Sequence, residues 1–178
     1  MLQIKTDEIE IFDEETSTFD YIKPTTLKLE HSLISVSRWE AKWNVPFLDN
    51  KEKTNEQLYD YISFMSLNPA VDDRIVKNLS SDNLDVISSY INAPMTATTF
   101  NAVPSGGRSV VTSELIYYWM VAFNIPFECE KWHLNRLLTL IRICDEKNKP
   151  PKKMGRNGIL SQNRALNEAR RAKLKSKG

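Results

Sequence analysis

The chain has 178 residues, an apolar content of 41%, four Trp and a formal net charge of +1. This length suits one compact domain with an appendage, and this composition excludes a wholly disordered protein. No hydrophobic leader opens the chain and no apolar run approaches the roughly 20 residues that a bilayer requires, so we expect neither a secreted nor a membrane-spanning protein. Cys129 and Cys144 fall within helical patterns, which predicts reduced core residues rather than a disulfide.

The net charge hides a division along the chain. Residues 149–178 contain ten Lys or Arg and one acid, Glu168, which is a net of +9 and leaves −8 for residues 1–148. An acidic body with a basic end indicates electrostatic attraction, either to a partner or between copies of the chain.

Apolar and polar residues alternate in the first 30 residues, on both sides of a turn-rich segment at 13–18. The alternating apolar residues are Ile9, Ile11, Phe19, Tyr21, Leu27 and Leu29. The first four predict a β-hairpin, and the last two, which follow Pro24, predict a third short strand. Because two strands alone are marginally stable, we expect a helix to pack against them.

Helical periodicity begins near Ser32 and continues, with interruptions, to Pro94. The first predicted helix carries its apolar residues on one face: Leu33, Val36, Trp39 and Trp43. Thr54 and Gln57 have the spacing of a capping box and predict the start of a second helix. A short helix at 71–79 and a helix capped by Ser81 follow. The inward residues of the second and fourth helices are predicted to be Leu58, Ile62, Met65, Leu84, Ile87 and Ile91.

The stretch 93–111, with the sequence SGGR at 105–108, is irregular, and its length is typical of functional or mobile loops. After it, residues 112–148 concentrate the apolar residues in two predicted helices joined at a sharp corner. The segment 115–123 is apolar almost all round, which is typical of a helix inside a core or an assembly.

Pro126 ends the first of these two helices and is placed to begin the second, with Glu128 and Glu130 in its first turn. The second helix has one apolar stripe: Leu134, Leu137, Leu138, Ile141 and Cys144. A shared pattern, NVPF at 44–47 and NIPF at 124–127, predicts the same helix-to-helix corner at both places.

These patterns predict a mainly α fold: a compact multi-helix domain with a small N-terminal β-hairpin or meander and a basic C-terminal helix. We assign residues 1–30 to the hairpin region packed on the body, 31–148 to the helical domain, and 149–178 to a basic linker and the C-terminal helix. That last helix has few apolar residues and should be weak without a partner.

The residues that carry chemistry do not form a recognisable site. Cys129 and His133 lie four apart, a spacing that can place two ligands on one metal, but a structural zinc needs four ligands and only Cys144 and His31 remain. A Cys–His nucleophilic pair on one helix lacks a separate scaffold for an oxyanion hole. Glycine-rich phosphate-binding patterns are absent. We therefore predict a non-enzymatic protein with no catalytic residue, metal or cofactor.

The basic residues 149–178 are the strongest candidate for a direct contact. Nucleic acid is one target, because clustered cations release counterions on binding, but the segment has no aromatic residue to stack on a base. An acidic protein surface is the favoured target. A solvated tail that only aids solubility is the third interpretation.

Several segments resemble a family of small proteins encoded in the genomes of long-tailed bacteriophages and their prophages. They are LKLEHSLISVSRWEAKWNVPFL (27–48), EKTNEQLYDYISFM (52–65), ISSYINAPMTATTF (87–100), ELIYYWMVAFNIPFECEKWHLNRLLTLIRICDEKNKPPKKM (114–154) and LNEARRAKLKSKG (166–178). The most specific parts are WHLNRLLTLIR and the basic ending LNxxRR. Proteins of this kind serve in phage structure or assembly, and the resemblance implies a tail assembly chaperone.

Such a chaperone would act in the host bacterial cytoplasm, coat the long helical tape-measure protein and help to recruit tail-tube subunits. Two alternatives stay open: a structural tail or head–tail connector subunit retained in the virion, and a nucleic-acid-binding accessory protein. A homo-oligomer is possible, nucleic acid is the less favoured partner, and no membrane is implied. The candidate partner-binding residues are Trp119, Trp132, Arg136, Arg164, Arg170, Arg171 and Lys173.

Overall fold

Seven α-helices, one 3-10 helix and four short strands make up the part of the chain that the structure, a computed structural model, describes: residues 1–13, 17–69, 71–100, 110–150 and 155–174. The strands are β1 (Leu2–Lys5), β2 (Ile9–Asp13), β3 (Thr18–Ile22) and β4 (Thr26–Leu29). The helices are α1 (Leu33–Trp43), α2 (Asn55–Met65), α3 (Asp73–Lys77), α4 (Ser81–Asn92), α5 (Ser113–Ala122), the 3-10 helix (Phe127–Lys131), α6 (Leu134–Asn148) and α7 (Arg156–Leu174). The predicted mainly α fold with a small N-terminal hairpin is confirmed.

The chain divides into two compact units, Met1–Asp145 and Glu146–Gly178. The predicted domain boundary at 148/149 lies close to this division. The SGGR segment at 105–108 lies outside the described residues, so its predicted role as a functional or mobile loop stays a prediction. Within the described residues, no helix is long and apolar enough to cross a membrane.

The strands form one long antiparallel ribbon in two parts. β2 pairs with β3 as the predicted hairpin, and β4, the predicted third strand, pairs with β1. Both ladders share one register, and the Thr6 N–H donates to the Thr25 carbonyl (2.9 Å) between them. The alternation at β4 predicted the strand, but its partner β1 was missed.

The β1–β4 half of the ribbon is the half that is more deeply buried against the helices. Ile4, Leu27 and Leu29 are buried, because alternate residues of a strand point to one face. The Glu30 N–H donates to the Met65 carbonyl at the end of α2 (2.9 Å), which fixes the ribbon to that helix. The expected helix beneath the strands is therefore present.

α1 supplies the centre of the core. Its apolar face is buried as predicted, with Trp43 half-buried at the edge. The indole N–H of Trp39 donates to the Gln57 carbonyl in α2 (2.8 Å), so this large ring is buried without leaving a polar atom unpaired. The capping box of Thr54 and Gln57 is present at the start of α2, as predicted.

Some predicted details are wrong. Leu58 is 45% exposed instead of inward, because it lies at the rim of a hollow between α2 and α4. Ser80, one residue before the predicted Ser81, caps α4.

The predicted helix after Pro126 is also interrupted. A 3-10 helix begins there and ends at Lys131, and α6 begins only at Leu134. The break arises because residue His133 pairs in extended form with Ser32, and the Leu134 N–H donates to the His31 carbonyl (2.7 Å).

The two NxPF corners share one backbone conformation. Asn44 and Asn124 both lie in the left-handed region, with φ of 54° and 52°. Asn tolerates this region better than most residues other than Gly, and it turns the chain out of α1 and α5. The left-handed Asn is common to both places, but the predicted helix-to-helix corner is present only at the second: a 3-10 helix begins at Phe127, whereas the chain after Phe47 forms no helix until Asn55.

A buried carboxylate joins the first corner to α5. Glu40 Oε1 accepts a hydrogen bond from the Phe47 N–H and Glu40 Oε2 accepts one from the Ser113 N–H, both at 2.8 Å. These bonds satisfy both oxygens of a side chain that is almost fully buried. One residue thus fixes the loop after α1 and the first turn of α5 in space.

Substituting Glu40→Ala should lower the free energy of unfolding by about 3 kcal/mol, because two buried N–H groups lose their acceptor. Glu40→Gln keeps one acceptor oxygen and should lose about half as much. Urea unfolding followed by tryptophan fluorescence measures both, with Glu52→Ala at an exposed position as the control. A Glu40→Ala protein as stable as that control would contradict this role.

Candidate protein-interaction surfaces

α5 is apolar on nearly all sides but buries only one of them. Ile116 and Met120 face the core, whereas Tyr118 and Val121 are 64% and 60% exposed. With the exposed Ala122, these two residues form what we call the outer face of α5. The sequence predicted that this helix lies inside a core or an assembly. Within one copy of the chain, the core buries only one face of the helix and leaves the outer face exposed.

The 3-10 helix adds an aromatic residue beside α5. The ring centroids of Tyr117 and Phe127 are 6.3 Å apart, and Phe127 is exposed. The Tyr117 hydroxyl donates to Glu130 Oε2 (2.8 Å), which orients its ring. Burial and this carboxylate raise the pKa of Tyr117, so the phenol stays a hydrogen-bond donor at neutral pH. Phe127 therefore enlarges the apolar surface that α5 exposes.

The predicted residue Trp119 is half-buried and lies between α5 and α6. It lines a hollow of about 350 Å³ with Phe123, Leu138 and Ile141. Its ring therefore forms part of the wall of a cavity, and it contributes less to an open surface than Tyr118 does. The predicted contact of Trp119 with a partner stays a prediction.

Trp132 and Arg136, also predicted, contact each other. The Arg136 guanidinium carbon lies 4.3 Å from the Trp132 ring centroid, a cation–π contact. Trp132 is half-buried and Arg136 is exposed. The pair presents a flat guanidinium stacked on an aromatic ring, an arrangement that suits an acidic or aromatic partner group.

The remaining predicted residues lie on α7 in the second unit. All side chains from 159 to 174 are exposed, including those of Arg164, Arg170, Arg171 and Lys173. Arg164 and Arg171 are seven residues apart and share one face of the helix. α7 thus carries these cations on an exposed helix.

A buried polar cluster, which the sequence patterns did not reveal, lies beneath α4 and α6. His31 and His133 have ring centroids 5.0 Å apart, and His31 Nδ1 is hydrogen-bonded to the Tyr61 hydroxyl. His133 Nε2–H donates to the Tyr90 carbonyl (3.0 Å), and His133 Nδ1 accepts from the Asn135 N–H (3.3 Å). His133 therefore acts as a cap for the first turn of α6.

The cluster holds both imidazoles neutral. Burial lowers the pKa of His31 to about 3, and the neighbouring His133 adds to this effect. Burial also lowers the pKa of His133, against the opposing effects of the Tyr90 carbonyl and Glu30.

The cluster also bears on the metal and nucleophile interpretations of Cys129 and His133. Both ring nitrogens of His133 already bind protein groups. Cys129 and Cys144 are free thiols, and Cys129 is buried. Within the described residues, no group of three or more His, Cys, Asp or Glu side chains is placed to hold a metal ion.

One hollow of about 580 Å³ opens between α2 and α4, above His31 and Tyr61. Its walls are mainly apolar, with Leu58 on one side and Ile87 and Ile91 on the other. Lys53 lies at the hollow with its ammonium 4.6 Å from the Phe47 ring centroid. The hollow explains why Leu58 is not inward.

Comparison of the chain with protein-family models, with curated proteins and with solved structures gave no match.

The neutral His31 makes stability depend on pH. Its folded pKa lies below the unfolded value of about 6.5, so below that pH the unfolded state binds a proton first. Stability should fall by about 2 kcal/mol from this residue alone between about pH 7 and pH 5. Urea unfolding at the two pH values measures this loss.

His31→Gln should reduce the pH slope, because Gln does not titrate. Tyr61→Phe is the matched control: it removes the hydroxyl partner but leaves His31 buried, so the protein should be weaker at both pH values with its slope retained. An unchanged slope in His31→Gln would contradict the assignment.

Proposed function

We propose that this chain is a non-enzymatic phage assembly protein, a tail assembly chaperone that binds a helical segment of the tape-measure protein and helps tail-tube assembly. The observation that carries the proposal is the outer face of α5, where Tyr118 and Val121 are exposed. The phage identity and the named partners rest on the resemblance of the sequence segments alone.

An amphipathic helix is the partner that best fits this face. Tyr118 and Val121 are three residues apart, and Ala122 follows, so they form a narrow apolar strip along α5. A partner helix can place an apolar stripe against such a strip, as in helix–helix packing. Aromatic anchors such as Tyr118 and Phe127 commonly supply a large part of the binding energy at an interface.

Polar groups next to the strip would set the orientation of the partner. The Tyr117 hydroxyl and Glu130 already form a hydrogen bond beside Phe127. The stacked Trp132 and Arg136 lie just beyond the 3-10 helix and provide a cation for an acidic residue of the partner. In this proposal Trp132 and Arg136 assist the binding, and the outer face of α5 provides most of it.

Replacing Tyr118→Ser together with Val121→Ser should weaken binding of a purified helical tape-measure fragment by roughly tenfold or more, because two apolar anchors are lost. Isothermal titration calorimetry measures the dissociation constant, and circular dichroism checks the fold. Leu67→Ser with Val86→Ser is the matched control, since it removes two other exposed apolar residues. Equal affinity of wild type and the α5 variant would contradict the proposal.

A structural tail or connector subunit is the second candidate. The specific observation that favours it is the division of charge, −8 for residues 1–148 against +9 for residues 149–178. Repeated contacts between copies in a particle would use such complementary charges. The two candidates differ in one respect: a chaperone leaves before the particle is complete, whereas a subunit remains.

A further inference from the structure

We propose that the distal part of the ribbon, β2 and β3, binds the basic helix α7 of a second copy of this chain. This inference is independent of the α5 surface and goes beyond the proposed chaperone function.

The negative charge of the body is concentrated in one place. Residues 6–22 contain seven Asp or Glu and no Lys or Arg, a charge of −7, whereas residues 1–148 as a whole carry −8. The rest of the body is therefore close to neutral. We call the described residues of β2, β3 and the adjacent segment 6–8 the acidic arm. Its charge is −5, from Asp7, Glu8, Glu10, Asp13 and Asp20, and is opposite in sign to the +9 of residues 149–178.

One face of the acidic arm is aromatic and open. In the ladder, Phe12 is opposite Phe19 and Glu10 is opposite Tyr21, so all four side chains share a face. The three aromatic residues are 51%, 56% and 58% exposed, in the order Phe12, Phe19 and Tyr21. The Phe12 and Phe19 ring centroids are 5.0 Å apart. This face would bury substantial apolar area if it were covered.

The other face of the acidic arm is already used. Ile9 and Ile22 pack on the core, and Asp20 accepts a hydrogen bond from Arg74 of α3 (2.7 Å). These contacts hold one side of the arm against the core and α3. The aromatic face is the side that stays available.

The chemistry of the aromatic face selects a cationic helix. The face of an Arg guanidinium can stack on an aromatic ring in a cation–π contact, while its N–H groups bind a carboxylate in the plane of the guanidinium. Glu10 is held beside the rings by the Tyr21 hydroxyl, which donates to Glu10 Oε1 (2.7 Å). α7 provides exposed Arg164 and Arg171 on one face and no aromatic residue of its own.

α7 also needs a contact of this kind. All its side chains from 159 to 174 are exposed, and most helices in proteins gain their stability by packing one face against other residues. Docking on the aromatic face would bury part of α7 and neutralise its charge. Because the arm and α7 are different surfaces, the contact is head-to-tail and joins copies in a ring or an open row.

Sedimentation velocity of the full-length, nuclease-treated protein tests this interface. Wild type should self-associate at about 50 mM salt and dissociate at about 500 mM, since the charges are screened. Glu8→Lys with Glu10→Lys, or Arg164→Glu with Arg171→Glu, should each weaken the association by roughly tenfold or more. Glu52→Lys with Asp85→Lys is the matched control, with the same charge change outside the arm.

Mixing the two variants should restore association, because the Lys side chains introduced at positions 8 and 10 of one protein then face the Glu side chains introduced at positions 164 and 171 of the other. Circular dichroism confirms that each variant is folded. Three results would overturn the proposal: a monomeric wild type at low salt, equal loss in the control variant, or no recovery on mixing. Association in a parallel sample without nuclease, together with its absence from the treated sample, would also overturn the proposal and assign α7 to nucleic acid.

Discussion

The buried carboxylate of Glu40 is the interaction on which the arrangement of this domain depends. It accepts hydrogen bonds from the Phe47 and Ser113 N–H groups, which lie at the end of one corner and at the start of α5. Both donors are far from water, so another acceptor is not at hand. The position of α5 follows from this contact: Ile116 and Met120 enter the core, and Tyr118 and Val121 are left outside.

A helix that exposes such residues needs an explanation, because scattered apolar residues are common on surfaces but an apolar strip on an apolar helix is not. The proposed binding to another helix would supply that explanation. The buried imidazoles have a structural role. His31 and His133 stay neutral and use their ring nitrogens to hold Tyr61 and the first turn of α6. In this arrangement the titratable groups of the interior stabilise the fold.

The sequence predicted features that depend on neighbouring residues. The apolar face of α1 and the capping box at Thr54 are local patterns, and both are present. Features that depend on distant contacts were missed. Three such features arise from residues that are remote in sequence. They are the pairing of β4 with β1, the bridge between His133 and Ser32 that interrupts the helix predicted after Pro126, and the hydrogen bond from the Ser113 N–H to Glu40.

The same limit applies to the candidate surfaces. Composition indicated that α5 belongs in a core or an assembly, but only its packing showed that Trp119 faces a hollow and Tyr118 faces outward. The sequence did not reveal the aromatic face of the acidic arm, for a related reason. Alternation predicted the strands, whereas the exposure of Phe12 and Phe19 depends on which face of the ribbon the helices cover.

The central claim is that this chain acts by transient binding during assembly, and quantitative mass spectrometry of infected-cell lysate beside purified phage particles tests it most directly. The account predicts abundant protein in the lysate and none in stoichiometric amount in the particles. A stoichiometric amount in the particles would contradict the chaperone and identify a tail or connector subunit.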